Sequence, residues 1–147
     1  MRNLDIHIVE DDSEKEQAFL LRRRVFVEEQ GVDPDLEFDG EDRRARHVVA
    51  MLDGRIVGCL RMVLEDEQLC HPGRLAVDKD FRGKGIGSAL MWFCIKDMKE
   101  YGFSSAIIHA QAYLKEFYEG FGFEVVGDLF MEAGLQHYHM VLSLNDD

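Results

Sequence analysis

Apolar and polar positions along the chain change period several times, and each change marks an element. Residues 5–9, DIHIV, alternate in the period of a half-buried strand. From Ser13 the period becomes helical. Ser13 with Glu16 matches a capping box, and Ala18, Leu21 and Val25 fall on one face of a helix ending near Gln30-Gly31. Its Arg22-Arg23-Arg24 triplet reads as a partly solvated face, with Arg24 in reach of Glu28 one turn on. Residues 31–46, GVDPDLEFDGEDRRAR, are acidic and show no period. HVVAML and RIVGCLRM then flank Asp53-Gly54, a strong hairpin signal. RLAV (74–77) predicts a further strand. Ile86, Leu90, Cys94 and Met98 recur at helical spacing and predict a helix from about Gly85 to Tyr101. SAIIHA (105–110) predicts a strand, and 112–120 a short helix carrying Leu114 and Tyr118, with Tyr113 offset as a packing residue. Strands near 123–126 and 137–143 close the chain.

This order predicts an α/β (or α+β) domain with a mixed sheet: hairpin strands first, then a parallel strand–helix–strand crossover over 74–110. A length of 147 residues suits one domain, 1–147. A chain of this size buries roughly 68–70% of its unfolded surface, enough for a real core. No apolar run approaches the roughly 18 residues of a membrane span, and the N-terminal residues lack the apolar stretch of a signal peptide. The three cysteines, Cys59, Cys70 and Cys94, sit among apolar neighbours without CxxC spacing. They read as reduced core residues of a cytoplasmic protein, not as a disulfide framework or a zinc site. A formal net charge of −12 argues against general nucleic-acid binding and is compatible with a cationic substrate, although acidity also serves solubility.

The most informative stretch is RGKGIGS, Arg82 to Ser88. Glycine costs backbone entropy, so a cluster at the start of a helix needs a reason. The free N–H groups and positive end of a first turn form an anion site where glycines allow close approach. The spacing fails the P-loop pattern GxxxxGK[ST] and the dinucleotide pattern GxGxxG, with Ser88 where the third glycine belongs. It fits [RQ]-x-x-G-x-[GA] through Arg82, Gly85 and Gly87.

That pattern is the pyrophosphate loop of the GNAT superfamily of N-acetyltransferases, which this chain resembles. RLAV precedes the loop where the family's pantetheine-binding strand falls. QAYLKEFYEGFGF is similar to the family's N-x-x-A-x-x-x-Y-x-x-x-G-F segment, with Gln111 for the usual Asn, Leu114 for the usual Ala, and Tyr118 at the tyrosine. The chain resembles the ElaA/YjcF-type acyltransferases most, through LRRRVFVEEQ, GRLAV…RGKGIG and AQAYLKEFYEGFGF, with a weaker echo in Glu132, Gly134 and His137.

The resemblance implies a central, mostly antiparallel mixed sheet flanked by helices, with one splayed parallel strand pair that binds CoA. It implies acetyl-CoA as co-substrate, held by Leu75, Ala76 and Val77 of one strand, by Arg82, Gly83, Lys84, Gly85, Ile86, Gly87 and Ser88 of the loop, and by Gln111 and Tyr118. The Val77 N–H would face the thioester carbonyl. A small-molecule or peptide primary amine attacks directly, and the phenol of Tyr118 protonates the leaving thiolate. Glu28, Glu29, Glu37, His47, His109 and His137 are candidate bases for the amine, with Glu29 preferred. His137 and His139 share a strand face, but two histidines without a third ligand do not make a metal site. Segments 31–46 and 127–138 are expected to shape the acceptor pocket, and the resemblance admits a homodimer. The rival reading is an acyl-CoA-binding module that acts on a partner without turnover; Tyr118 at its expected place argues against it.

Overall fold

The computed structural model describes residues 3–145. The elements run β1 (Leu4–Ile8), α1 (Asp12–Arg22), α2 (Pro34–Glu37), β2 (Ala45–Leu52), β3 (Arg55–Leu64), β4 (Leu69–Val77), α3 (Ile86–Tyr101), β5 (Ser105–Gln111), α4 (Lys115–Glu119), β6 (Glu124–Glu132) and β7 (Leu135–Ser143). The strands form one sheet in the order β1-β2-β3-β4-β5-β7-β6. Every neighbouring pair is antiparallel except β4 and β5, which run parallel. The mixed α/β sheet and the 74–110 crossover expected from the pattern are therefore present.

Local chemistry explains the boundaries. Asp53 and Gly54 both take positive φ, 50° and 80°, the two-residue turn whose twist suits a hairpin. Helix α1 starts two residues earlier than the capping-box pattern implied: Asp11, not Ser13, is the cap and accepts from the Glu14 N–H at 2.9 Å. The helix continues over Arg23–Glu29 as a π-helix, a wider coil that often marks a functional segment. Residues 31–46 are not shapeless, since they hold α2 and a 3₁₀ turn over Glu41–Arg44.

Two cores sandwich the sheet. On one side α3 buries Ile86, Leu90, Met91, Cys94 and Met98 against β2, β3, β5 and β7. On the other, α1 buries Ala18 and Leu21, and its π-helical continuation Val25 and Phe26, with Val49 and Cys59. All three cysteines are free and buried. Among the described residues no helix is long and apolar enough to cross a membrane.

Of the arginine triplet, Arg23 and Arg24 are exposed, as a partly solvated face requires, but Arg22 is not. Arg22 is only 2% exposed. It donates to Glu37 Oε2 at 2.8 Å and to Asp42 Oδ1 at 2.7 Å, pinning α2 and the 3₁₀ turn to α1. Arg24 lies 3.6 Å from Asp78, not on Glu28.

Candidate active site

Strands β4 and β5 pair only at Leu69↔Ser105 and Cys70↔Ala106. Beyond that point they diverge and open a cleft of about 920 Å³. An extra residue in β4 near Arg74, which has φ of 55°, breaks the register with β3 and kinks the strand further along. The register also fixes where Val77 points. Asp78 N donates to Val57 O, so the adjacent pair Gly58↔Val77 is the non-hydrogen-bonded kind. The Val77 N–H and C=O therefore point away from β3, into the opening. The carbonyl accepts from Arg82 Nε at 2.9 Å.

The glycine loop closes one end of the cleft. Gly83 and Gly85 take φ of 76° and 85°, and Gly85 caps α3. Nothing lies within 4 Å of where a Cβ on either would stand, so conformation rather than crowding calls for glycine there. Of the sequence-predicted site residues, Leu75, Ala76, Val77, Arg82, Gly83, Gly85, Ile86, Gly87, Ser88, Gln111 and Tyr118 all line this one cleft. Lys84 does not; its ammonium sits 5.9 Å from the Phe81 ring. The Gln111 side chain donates to Gln30 Oε1 at 2.8 Å, tying the end of β5 to the end of the π-helix.

Tyr118 stands on α4, 8% exposed, its ring edge-on to Phe117 and Phe123. Burial pushes its phenol well above the ordinary tyrosine value. Among the described residues its hydroxyl makes no hydrogen bond, and no buried side-chain N or O there lacks a partner. The hydroxyl therefore reaches the cleft that the residue lines. Tyr113 is 74% exposed and sits on the cleft rim, not in the packing role expected of it.

The base candidates separate cleanly. Glu29 lies outside the cleft lining in a two-pronged pair with Arg82, at 2.8 and 2.9 Å. His47 is also outside, its Nε2 donating to Asp42 O at 2.9 Å. Glu28 does not line the cleft either. Glu37 does, yet it is held by Arg22 and by Arg74 at 3.1 Å; burial pushes its carboxyl up while the two arginines pull against that shift. His109 and His137 line the cleft with Glu132 and His71, a cluster that sequence reasoning met only as scattered histidines.

The acidic segment is also less negative than its sequence implied. Glu37, Asp39 and Asp42 are paired with Arg22, Arg61 and Arg74. Despite partial burial, Arg61 holds the Asp39 carboxyl below the ordinary range, and Arg22 with Arg61 does the same for Asp42. Their charge is spent within the network.

A sheet splayed at one parallel pair, with a glycine-capped helix start and a buried phenol in the same opening, is the architecture of the acyl-CoA N-acyltransferases. The GNAT acetyltransferase domain family matches residues 9–144, and the chain belongs to that family. Protein ElaA of Escherichia coli is 32% identical over 143 residues, covering 92% of each chain. The ElaA crystal structure overlays with a TM-score of 0.84 across 94% of this chain and 98% of that one. The uncharacterized N-acetyltransferase YjcF of Bacillus subtilis is 29% identical over 140 residues, 91% of this chain and 96% of its own. An acyl-CoA N-acyltransferase from Pseudomonas aeruginosa is 28% identical, with a TM-score of 0.84 over 94% of this chain and 98% of that chain. Family membership makes acyl transfer from an acyl-CoA the general activity.

Proposed function

We propose that the protein transfers an acetyl group from acetyl-CoA to a primary amine by direct attack. The observation that carries this reading is the parting of β4 and β5 beyond Cys70, which leaves the Val77 N–H facing the same cleft as the glycine loop and Tyr118. In this reading the pantetheine arm adds to β4 as an extended strand would, using backbone groups that β5 leaves unpaired. The pyrophosphate takes the N–H groups of residues 83–88 at the start of α3. The Val77 N–H stabilises the oxyanion, and Tyr118 gives its proton to the leaving sulfur. A raised phenol value keeps that proton in place at neutral pH until thiolate develops beside it.

The acceptor is an amine on a small molecule or peptide. Because Glu37, Asp39 and Asp42 are already paired, bulk acidity is not what selects it. The apolar wall formed by Phe26, Val32, Leu36 and Leu135 favours an amine carried on an apolar body.

The test is binding of acetyl-CoA by calorimetry and thermal shift. At a ligand concentration near 100 Kd the native state gains about 2.7 kcal/mol, a rise of roughly 5–10 °C for a domain of this size. Gly85→Asp is the matched variant. Aspartate tolerates positive φ better than most residues, and the site has room, so the fold survives while a negative charge meets the pyrophosphate. Equal affinity in the variant overturns the assignment.

A further inference from the structure

We propose that His109, oriented by Glu132, removes the proton from the attacking amine, working from the face of the sheet opposite Tyr118. The inference rests on the acyl-transfer reading and supplies the base that reading lacks.

The strand alternation places the groups. Ala106, Ile108 and Ala110 of β5, and Met140 of β7, pack in the core with α3 and Tyr118. Alternation turns His109 of β5, and His137 and His139 of β7, to the other face. His109 pairs with His139 across the two strands, and their ring centroids are 4.6 Å apart. The tight β6–β7 turn, with Ala133 and Gly134 at φ of 52° and 77°, sets Glu132 beside them. His71 of β4 reaches across the opening between the splayed strands to stand 4.8 Å from the His109 ring. The cluster therefore lines the cleft just beyond the last paired residues, where β4 and β5 begin to part, on the face away from Tyr118.

The hydrogen bonds assign the proton. Glu132 Oε1 lies 2.9 Å from His109 Nδ1. The His109 hydrogen bond holds the Glu132 carboxyl below its ordinary value, so at neutral pH it is an acceptor only. Nδ1 must then donate, and in the neutral ring Nε2 keeps the lone pair. Among the described residues no side chain or backbone group hydrogen-bonds that Nε2. A base needs such a nitrogen, with its tautomer fixed by a carboxylate. His137 is not equivalent. Its Nδ1 lies 2.8 Å from Leu135 O, its Nε2 faces Glu132 at 4.0 Å, and it is buried.

The groups facing His109 are Glu132 from β6, His71 from β4, and His139 and His137 from β7, with the Phe130 ring 5.5 Å away. Burial, and then His109 itself, push the His71 value down, so His71 stays neutral and does not repel an incoming ammonium. Arg74 acts on Glu132, while Arg61 and Glu65 act on His71, from further off.

An alkylammonium acceptor first gives one proton to His109 Nε2, which passes it to water. The neutral nitrogen then bonds to the thioester carbon as the carbon–sulfur bond breaks, a second nitrogen proton passes to His109 Nε2, and the CoA sulfur takes the Tyr118 proton. The imidazolium then releases its proton to water and the tyrosinate regains one. An acceptor that enters as ammonium thus leaves one proton in solution.

The experiment compares wild type, His109→Gln and Glu132→Gln with acetyl-CoA and two probes: primary alkylamines, protonated at pH 7, and methoxyamine, which is already neutral there. For the alkylamines His109→Gln should lower kcat/KM by about 10²–10⁴-fold, with a smaller loss for methoxyamine. Glu132→Gln removes the acceptor that fixes the ring tautomer, so its kcat/KM for the alkylamines should also fall. The double variant should lose no more than His109→Gln alone, a non-additivity that a merely structural role for Glu132 would not produce. Acetyl-CoA affinity should stay at the wild-type value in both variants. Wild-type kcat/KM in His109→Gln, or equal losses with both probes, overturns the assignment of the base alone. Acetyl-CoA binding without turnover of any amine by wild type overturns acyl transfer, and this assignment with it.

Discussion

Gly58 offers a direct probe of how the sheet positions the cofactor loop. It lies in β3 under the first turns of α3, where a Cβ would stand 2.9 Å from Leu90 Cδ1, 3.0 Å from Ile86 Cγ2 and 3.4 Å from Ala50 Cβ. Favourable carbon contacts lie near 3.5–4.0 Å, so Gly58→Ala must push these groups back by roughly half an ångström. Leu90 and Ile86 are themselves buried among core neighbours and cannot swing into solvent. Overpacking of this kind costs about 1–3 kcal/mol, offset by up to about 1 kcal/mol of backbone entropy gained when a glycine is removed. A net cost of about 1–2 kcal/mol lowers the Tm by roughly 2–8 °C in a domain this large. Because Ile86 opens α3, the displacement also tilts the N–H groups proposed to hold pyrophosphate, and acetyl-CoA affinity should fall with stability. Gly73→Ala is the stability control, since nothing lies within 4 Å of its Cβ position and its φ is not positive. Calorimetric unfolding with and without acetyl-CoA reads both effects. A Gly58→Ala protein with wild-type Tm and affinity would refute the claim that this contact sets the helix position.

Three further outcomes are expected. Arg22→Met should destabilise by about 3–5 kcal/mol, because it leaves the buried Glu37 with Arg74 alone and takes a partner from Asp42, and adding Glu37→Leu should recover only part of the loss in denaturant unfolding. The depressed carboxyls of Asp39 and Asp42 contribute stability that is present above the ordinary carboxylate value of about 3.9 and lost as pH falls through their folded values. The Tm should accordingly drop steeply below about pH 4, with a shallower slope in Asp42→Asn. Tyr118→Phe keeps the ring contacts with Phe117 and Phe123, so acetyl-CoA affinity should hold while kcat falls about 10²-fold, the lower end for acid catalysis because a thiolate leaves partly unaided.

What the sequence discloses follows the range of each interaction. The Asp53-Gly54 hairpin, the α3 period and the glycine loop are local signals, and each appears where the pattern puts it. The opening between β4 and β5 was legible through the family resemblance and not through periodicity, since RLAV is only the end of a nine-residue strand. The fate of Arg22 was illegible because its partners lie 15 and 20 residues away, and a cation on a helix reads as solvated until α2 folds over it. The π-coil at Arg23–Glu29 has no period that distinguishes it from an α-helix. It turns Val25, Phe26 and Gln30 towards the cleft while Glu29 meets Arg82. The histidine cluster forms only through the β5–β7–β6 register, although the spacing of Glu132, Gly134 and His137 carried a faint trace of it.

The central claim is that the splayed cleft holds acetyl-CoA and passes its acetyl group to an amine. Incubation of the protein with acetyl-CoA and a panel of primary amines, followed by mass spectrometry of the amines and assay of free thiol, tests it directly. The account predicts amines heavier by one acetyl group, in step with thiol release, and loss of both signals in Gly85→Asp. Thiol release without any acetylated amine, or acetylation undiminished in Gly85→Asp, would contradict it.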